Sequence, residues 1–164
     1  MKKIIFIMGV SASGKSTLGH ALARATGQPF FDGDDFHPPE NIAKMSAGAP
    51  LNDQDRRGWL SGLNQMALDH RQNGAIIGCS ALKETYREWL MEGLDRDQVL
   101  WVVLVGDYEQ ILDRSRKRTD HFMPASLLES QFQTLEVPPY GMHLSCIELN
   151  IPQMVQAILR ELGT

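Results

Sequence analysis

Apolar residues recur along this chain in two alternating rhythms. Runs at Ile4 to Met8, Gln28 to Phe31, Ala75 to Cys79, Val99 to Val105 and Leu144 to Leu149 read as short strands, the second ending at Asp32. The fourth run is apolar on both faces, as a central parallel strand must be, which assigns Trp101 to the core rather than to a ligand platform. Helical spacing fills the intervals. Leu18, Ala21, Leu22 and Ala25 share one face, and a helical segment around Asn41 to Met45 follows the break at Pro38 and Pro39. A long helix capped by Asn52 or Asp53 buries Trp59, Leu60, Leu63, Met66 and Ala67 and ends at Asn73-Gly74. Further helices cover Lys83 to Met91 and Tyr108 to Ser115, and Pro152 opens a last one with Val155, Ile158, Leu159 and Leu162 on one side. From Arg116 to Met142 the pattern loosens into a basic, Pro-containing insert. Strand-helix alternation without repeat or linker predicts one α/β domain over residues 1–164, a parallel sheet with helices on both faces.

Composition narrows the function classes. The chain has 164 residues, 43% apolar and 22% charged, which suits an ordinary folded domain that needs no disulfides. A net charge of −4 supplies no general field for nucleic acid, so basic clusters are read as local sites. Cys79 and Cys146 lack metal-ligand spacing, and Cys79 lies in a strand as a small core residue. No apolar run reaches the roughly 20 residues that span a bilayer. Met1-Lys2-Lys3 before an apolar run resembles a secretory signal, but Gly14-Lys15 interrupts it, so the cytoplasm is the expected location.

The first strand leads into Gly9-Val10-Ser11-Ala12-Ser13-Gly14-Lys15-Ser16, followed by Thr17 and a helix. A G-x-x-x-x-G-K-S loop between strand and helix wraps backbone N–H groups around a polyphosphate at a helix N-terminus. Lys15 is placed to reach the β- and γ-phosphates and Ser16 to offer its hydroxyl to Mg²⁺, so a nucleoside triphosphate is the expected ligand. In open sheets of this type ligands bind beyond the carboxyl ends of the strands, which directs attention to residues 32–35 and to Ser80.

Asp32-Gly33-Asp34-Asp35 follows the second strand and can supply a metal carboxylate and a proton acceptor, or be an acidic turn, the reading Asp35 fits best. Arg56 and Arg57 beside Asp53 and Asp55 suit a substrate carboxylate or a surface ion-pair cluster. His37 suits a polyol or a plain loop. Arg114 and Arg118, four apart on one helix face, suit a lid folding over nucleotide or a solvated basic helix end.

These residues resemble a known family. Asp32 to Pro38, Lys44-Met45, Pro50-Leu51, Asp53 to Arg56 with Trp59-Leu60, Cys79 to Lys83 with Tyr86-Arg87, His121-Phe122-Met123-Pro124, Ser130-Gln131-Phe132 and Leu135-Glu136 follow the phosphate loop in order. The set looks like the small bacterial gluconate kinases of the thermoresistant type, across roughly residues 5–138. The resemblance implies a three-layer P-loop kinase fold similar to nucleoside monophosphate and shikimate kinases. Its parts are a five-stranded parallel sheet, a substrate-binding helical region about 37–73 and a mobile lid about 116–138. It implies transfer of the ATP γ-phosphate to the 6-hydroxyl of D-gluconate with Mg²⁺, and a homodimer. On this chain Gly9 to Thr17 with Arg114 and Arg118 would hold ATP, and Ser16 and Asp32 the metal. Lys15, Asp34 and Arg118 would be catalytic, with Asp34 orienting the hydroxyl or accepting its proton. Asp34, His37, Arg56, Ser80 and Lys83 would line the sugar-acid site.

The chain departs from that family in three places. Ala12 replaces the usual glycine, which is tolerable at negative φ and restrictive at positive φ. Gly58 stands where proline is usual, loosening the expected helix start. Tyr140-Gly141-Met142-His143 replaces an expected acidic pair. A shikimate or nucleotide kinase, or a nucleotide switch whose output is partner binding, would share the phosphate loop but not the acceptor residues.

Overall fold

The computed structural model describes residues 2–117 and 125–164. In chain order it contains β1 (Ile4–Met8), α1 (Lys15–Thr26), β2 (Phe30–Asp32), a 3₁₀ turn (Gly33–Phe36), α2 (Pro39–Ser46) and α3 (Asp53–Asp69). Then come β3 (Ala75–Gly78), α4 (Glu84–Met91), a second 3₁₀ turn (Arg96–Gln98), β4 (Val99–Val105), α5 (Tyr108–Arg116), α6 (Ala125–Thr134), β5 (Met142–Ser145) and α7 (Ile151–Leu162). Among the described residues the strands form one all-parallel five-stranded sheet in the order β2-β3-β1-β4-β5.

The period of two within β1 generates the layers. Ile5 and Ile7 point to one face, where Ile76, Leu100, Val102 and Leu104 join them under Leu18 and Leu22 of α1, Ile111 of α5 and Ile158 of α7. Ile4, Phe6 and Met8 point to the other, packed with Ile77, Trp101 and Val103 beneath Trp59, Leu60 and Leu63 of α3 and Leu90 of α4. Trp101 is core, its ring stacked on Phe6 at 4.6 Å. Cys79 is core too, and burial pushes its thiol up to about 12, far from a reactive thiolate.

Register then sets where chemistry can assemble. Asp32 lies opposite Gly78, and Gly78 opposite Ile7, so β2, β3 and β1 end at one level. The segments that follow them, 9–14, 33–38 and 79–83, emerge together at that edge. Gly33 must be glycine because a Cβ there would stand 2.5 Å from the Gly78 carbonyl oxygen.

Two expectations need correction. The last strand is Met142–Ser145 rather than Leu144 to Leu149, because Met142 and His143 pair with Val102 and Val103 while Leu149 turns back to donate its N–H to the Ser145 carbonyl. The insert from Arg116 to Met142, read as irregular, contains α6, which among its side chains buries Leu128.

Candidate active site

The phosphate loop begins where β1 stops. A Cβ on Gly9 would meet Ser13 Oγ at 2.7 Å and the Leu104 carbonyl oxygen at 3.1 Å, so only glycine lets the chain turn this close to β4. Gly14, at φ +99°, is the N-cap of α1, and no side chain caps that helix and no acid lies in its first turn. The contrast with α3 and α7 is direct. Asn52 with Asp55, and Asn150 with Gln153, close those helices by reciprocal capping boxes. The N–H groups at the start of α1 are left for an anion, and the helix dipole favours one there. Lys15 Nζ donates to the carbonyls of Gly9 at 2.9 Å and Val10 at 3.1 Å, folded over the loop it belongs to.

Ala12 takes the restrictive course. Its φ is +64°, the left-handed region, which costs a residue with a Cβ roughly 1–2 kcal/mol. Such strain persists only where neighbours over-determine the backbone.

Asp32 ties the loop to the acidic turn. Its Oδ2 accepts the Ser16 hydroxyl at 2.6 Å, and its Oδ1 accepts the Asp34 N–H at 3.1 Å, capping the 3₁₀ turn. The acidic turn is therefore capped by the same carboxylate that reaches Ser16. A serine hydroxyl beside a carboxylate is a hard, all-oxygen donor set of the kind Mg²⁺ takes while keeping its remaining positions for phosphate and water. Among the described residues no cluster of three or more His, Cys, Asp or Glu could hold a metal by itself. The pair fits an ion that arrives with a polyphosphate.

Asp34 is exposed at its outer edge, with protein on its other sides. That desolvation raises its carboxyl above the ordinary carboxylate range against the pull of Lys15, with Asp32 adding to the rise. Beyond it lies His37, stacked on Trp59 at 4.1 Å and beside Asn41 Nδ2 at 3.3 Å. Burial lowers the His37 value, opposed by Asp34 and aided by Arg56, so the imidazole is neutral at pH 7. Trp59 in turn donates its indole N–H to the Gly33 carbonyl at 2.8 Å, fixing the turn.

The two arginines of α3 part company. Arg57 pairs with Glu92 at 2.9 Å and lies over Trp89, on the outer side. Arg56 turns inward, donating to the Leu51 carbonyl at 2.8 Å and to the Tyr86 hydroxyl at 3.3 Å. Lys83 stands over the same tyrosine ring and 3.6 Å from Asp53. Tyr86 donates to Asp53 at 2.6 Å, a bond that holds the Asp53 carboxyl below its ordinary value, while burial and that acid push the phenol up to about 12. Two cations and a phenol thus gather on the Asp53 carboxylate, with Ser80 half-buried in the loop between β3 and Lys83.

Arg114 lies across the phosphate loop from this group, donating to the Cys146 carbonyl at 3.0 Å. It borders an open cleft of about 350 Å³ with Gln110, Asp113, Lys117, Cys146 and Ile147. Arg118 lies outside the described residues. A cavity of about 420 Å³ between α4 and β4, around Trp101 and Tyr140, is lined by none of the expected site residues.

Two single residues and one pair, three features in all, hold places that sequence alone does not assign. Tyr86 is one. Arg87, its guanidinium almost fully enclosed, donates to the carbonyls of Ala81 at 2.7 Å and Glu136 at 2.8 Å and meets Glu84 at 2.9 Å. Tyr140, from the departing segment, completes that knot by donating to Glu84 at 2.8 Å and accepting from Arg87. Gln131 is the third, in contact with Ser11. The family blocks contained Tyr86, Arg87 and Gln131, the signal that could have singled them out.

Comparison with known proteins shows the family. A family model described as shikimate kinase matches residues 11–136. The chain is 48% identical over 134 residues to the thermosensitive gluconokinase of Escherichia coli, covering 80% of this chain and 71% of that protein. It is 42% identical over 137 residues to the thermoresistant gluconokinase of the same organism, covering 82% and 77%. Its fold superposes on the crystal structure of a gluconokinase from Sinorhizobium meliloti with a TM-score of 0.87 at 40% identity, over 98% of this chain and 91% of that one.

Proposed function

The chain belongs to the gluconokinases, small ATP-dependent kinases on the shikimate kinase fold, and we propose that its site divides into a donor half and an acceptor half. Its similarity to the thermosensitive and the thermoresistant forms alike sets membership at the level of gluconokinases rather than of one type.

In the donor half, residues 9–17 cradle the phosphates through Lys15 and the uncapped N–H groups at the start of α1, with the base in the cleft beside Arg114. Arg118 is assigned with Arg114 to the lid, on the resemblance alone. Ser16 and Asp32 would hold the Mg²⁺ that accompanies ATP, which would supply positive charge against the phosphates. In the acceptor half, Arg56 takes the gluconate carboxylate, for which its planar fork is suited, and Lys83, Ser80 and neutral His37 line the polyol. Asp34 accepts the proton of the 6-hydroxyl as its oxygen bonds to the γ-phosphorus and the bond to the β-phosphate oxygen breaks. The products are 6-phosphogluconate and ADP.

One observation carries this reading. The strands β1, β2 and β3 end at one level, so the phosphate loop, the turn that carries Asp34 and the loop that leads to Lys83 leave the sheet at one edge. A coupled ADP-release assay with gluconate, shikimate and nucleoside monophosphates tests it. Turnover with gluconate alone is expected. Activity only with the other acceptors, or slow hydrolysis without a phosphorylated small product, overturns it. We place the working form as a cytoplasmic homodimer on the family resemblance, a point that sedimentation checks directly. Among the described residues no helix is long and apolar enough to cross a membrane.

A further inference from the structure

Gln131 lies 120 positions from the phosphate loop yet grips it at two points. The Ser11 backbone N–H donates to Gln131 Oε1 at 2.8 Å, and Gln131 Nε2 donates to Ser11 Oγ at 3.1 Å. The orientation of the amide follows from its partner, since a backbone N–H only donates and must face the carbonyl end. The residue after Ser11 is Ala12, the one position of the loop where a Cβ sits at φ +64°. On its far side the Ser13 N–H returns to the Val10 carbonyl at 3.2 Å. Ala12 is therefore bracketed, and Gln131 supplies the bracket that comes from outside the loop.

The helix that carries Gln131 is itself anchored on the acceptor side. Just past α6, the Glu136 N–H donates to the Leu82 carbonyl at 2.7 Å, and its side chain accepts the Glu84 N–H at 2.9 Å. Its carbonyl accepts from the enclosed Arg87 at 2.8 Å. Within α6, Phe132 packs edge-on against Tyr108 of α5. One short helix thus touches the loop after β1 through Gln131 and the loop after β3 through Glu136.

We propose that Gln131 is a positioning residue of the donor site, holding the Ser11-Ala12 crest in the left-handed shape that lines up the phosphate-binding N–H groups. It does so from a helix seated on the acceptor loop, so the affinity for ATP depends on that seating. The proposal rests on residues 9–16 being the ATP cradle. A glycine at position 12 needs no bracket, which makes the idea separable from a general packing role.

The test uses the full chain, with KM for ATP and for gluconate measured separately and thermal denaturation run alongside. Gln131→Ala and the length-matched Gln131→Met, which keeps the packing but not the two hydrogen bonds, are expected to raise KM for ATP about tenfold and leave KM for gluconate within about twofold. In an Ala12→Gly background the same replacements are expected to raise KM for ATP by about threefold or less. An unchanged KM for ATP in Gln131→Met overturns the proposal. So does an equal effect in both backgrounds, or a parallel rise of both KM values that follows the loss of Tm. A wild-type protein without gluconate-dependent turnover would instead overturn the functional reading itself.

Discussion

The proposed donor half is made of backbone, the proposed acceptor half of side chains. Eight consecutive residues, 9–16, make the proposed phosphate cradle, and what they require is mostly the absence of something: no Cβ at Gly9, no cap on α1. The acceptor half draws Asp34 from a 3₁₀ turn, His37 from the next loop, Arg56 from α3, and Lys83 and Tyr86 from the start of α4. Burial raises Asp34 and Tyr86 and lowers His37 from their ordinary values, while the Tyr86 hydrogen bond lowers Asp53. A backbone cradle suits a ligand common to many kinases. A side-chain pocket is what can be retuned for one acceptor.

The sharpest way to break this division is Asp34→Asn. It is expected to lower kcat by about 10²–10⁴ while nucleotide titration gives an unchanged ATP affinity. The same variant is expected to be more stable at neutral pH. The folded protein holds the Asp34 proton more tightly than the unfolded chain, so stability is highest below the ordinary carboxyl value of 3.8 and falls as pH rises through the elevated one. Removing the ionisable group removes that loss, and calorimetry should find a higher Tm at pH 7 and no gain in acid.

Next in size is Arg56→Ala, expected to raise KM for gluconate roughly tenfold to a hundredfold with KM for ATP unmoved. Equal rises in both would dissolve the two-half description. Ala12→Gly sharpens the donor side, since relief of a left-handed Cβ, less the added freedom of the unfolded chain, stabilises by about 1 kcal/mol in urea denaturation. Smallest is Gly58→Ala in α3, where a new Cβ meets nothing within 4 Å. It should add about 0.5–1 kcal/mol and change neither KM. The capping box of Asn52 and Asp55 already secures the start of that helix, so proline is not needed there.

The same division governs what the sequence made legible. The donor motif is contiguous, and β1 to β4 are apolar enough to be read by pattern alone. Residue type left Arg56 and Arg57 undecided between two readings, and only the three-dimensional path of α3 turns one towards Tyr86 and the other towards Glu92. β5 was misplaced because Met142 and His143, half-buried and exposed, lack an apolar signature, while Leu149 copies one from a turn. α6 escaped notice because, with few of its side chains deeply buried, its amphipathic stripe is faint. The ties from Gln131 to Ser11, from Arg87 to Glu136 and from Tyr140 to Glu84 span about 50 to 120 positions, beyond the reach of any local spacing rule.

The open start of α1 means the polypeptide leaves one joint of its own architecture for a metabolite to close. Any ligand that binds only the folded form deepens its free-energy well, by about 2.7 kcal/mol when present at a hundred times its dissociation constant. A nucleotide that fills this joint would therefore hold the fold together as well as take part in the reaction, and the unliganded chain would be the form that opens first.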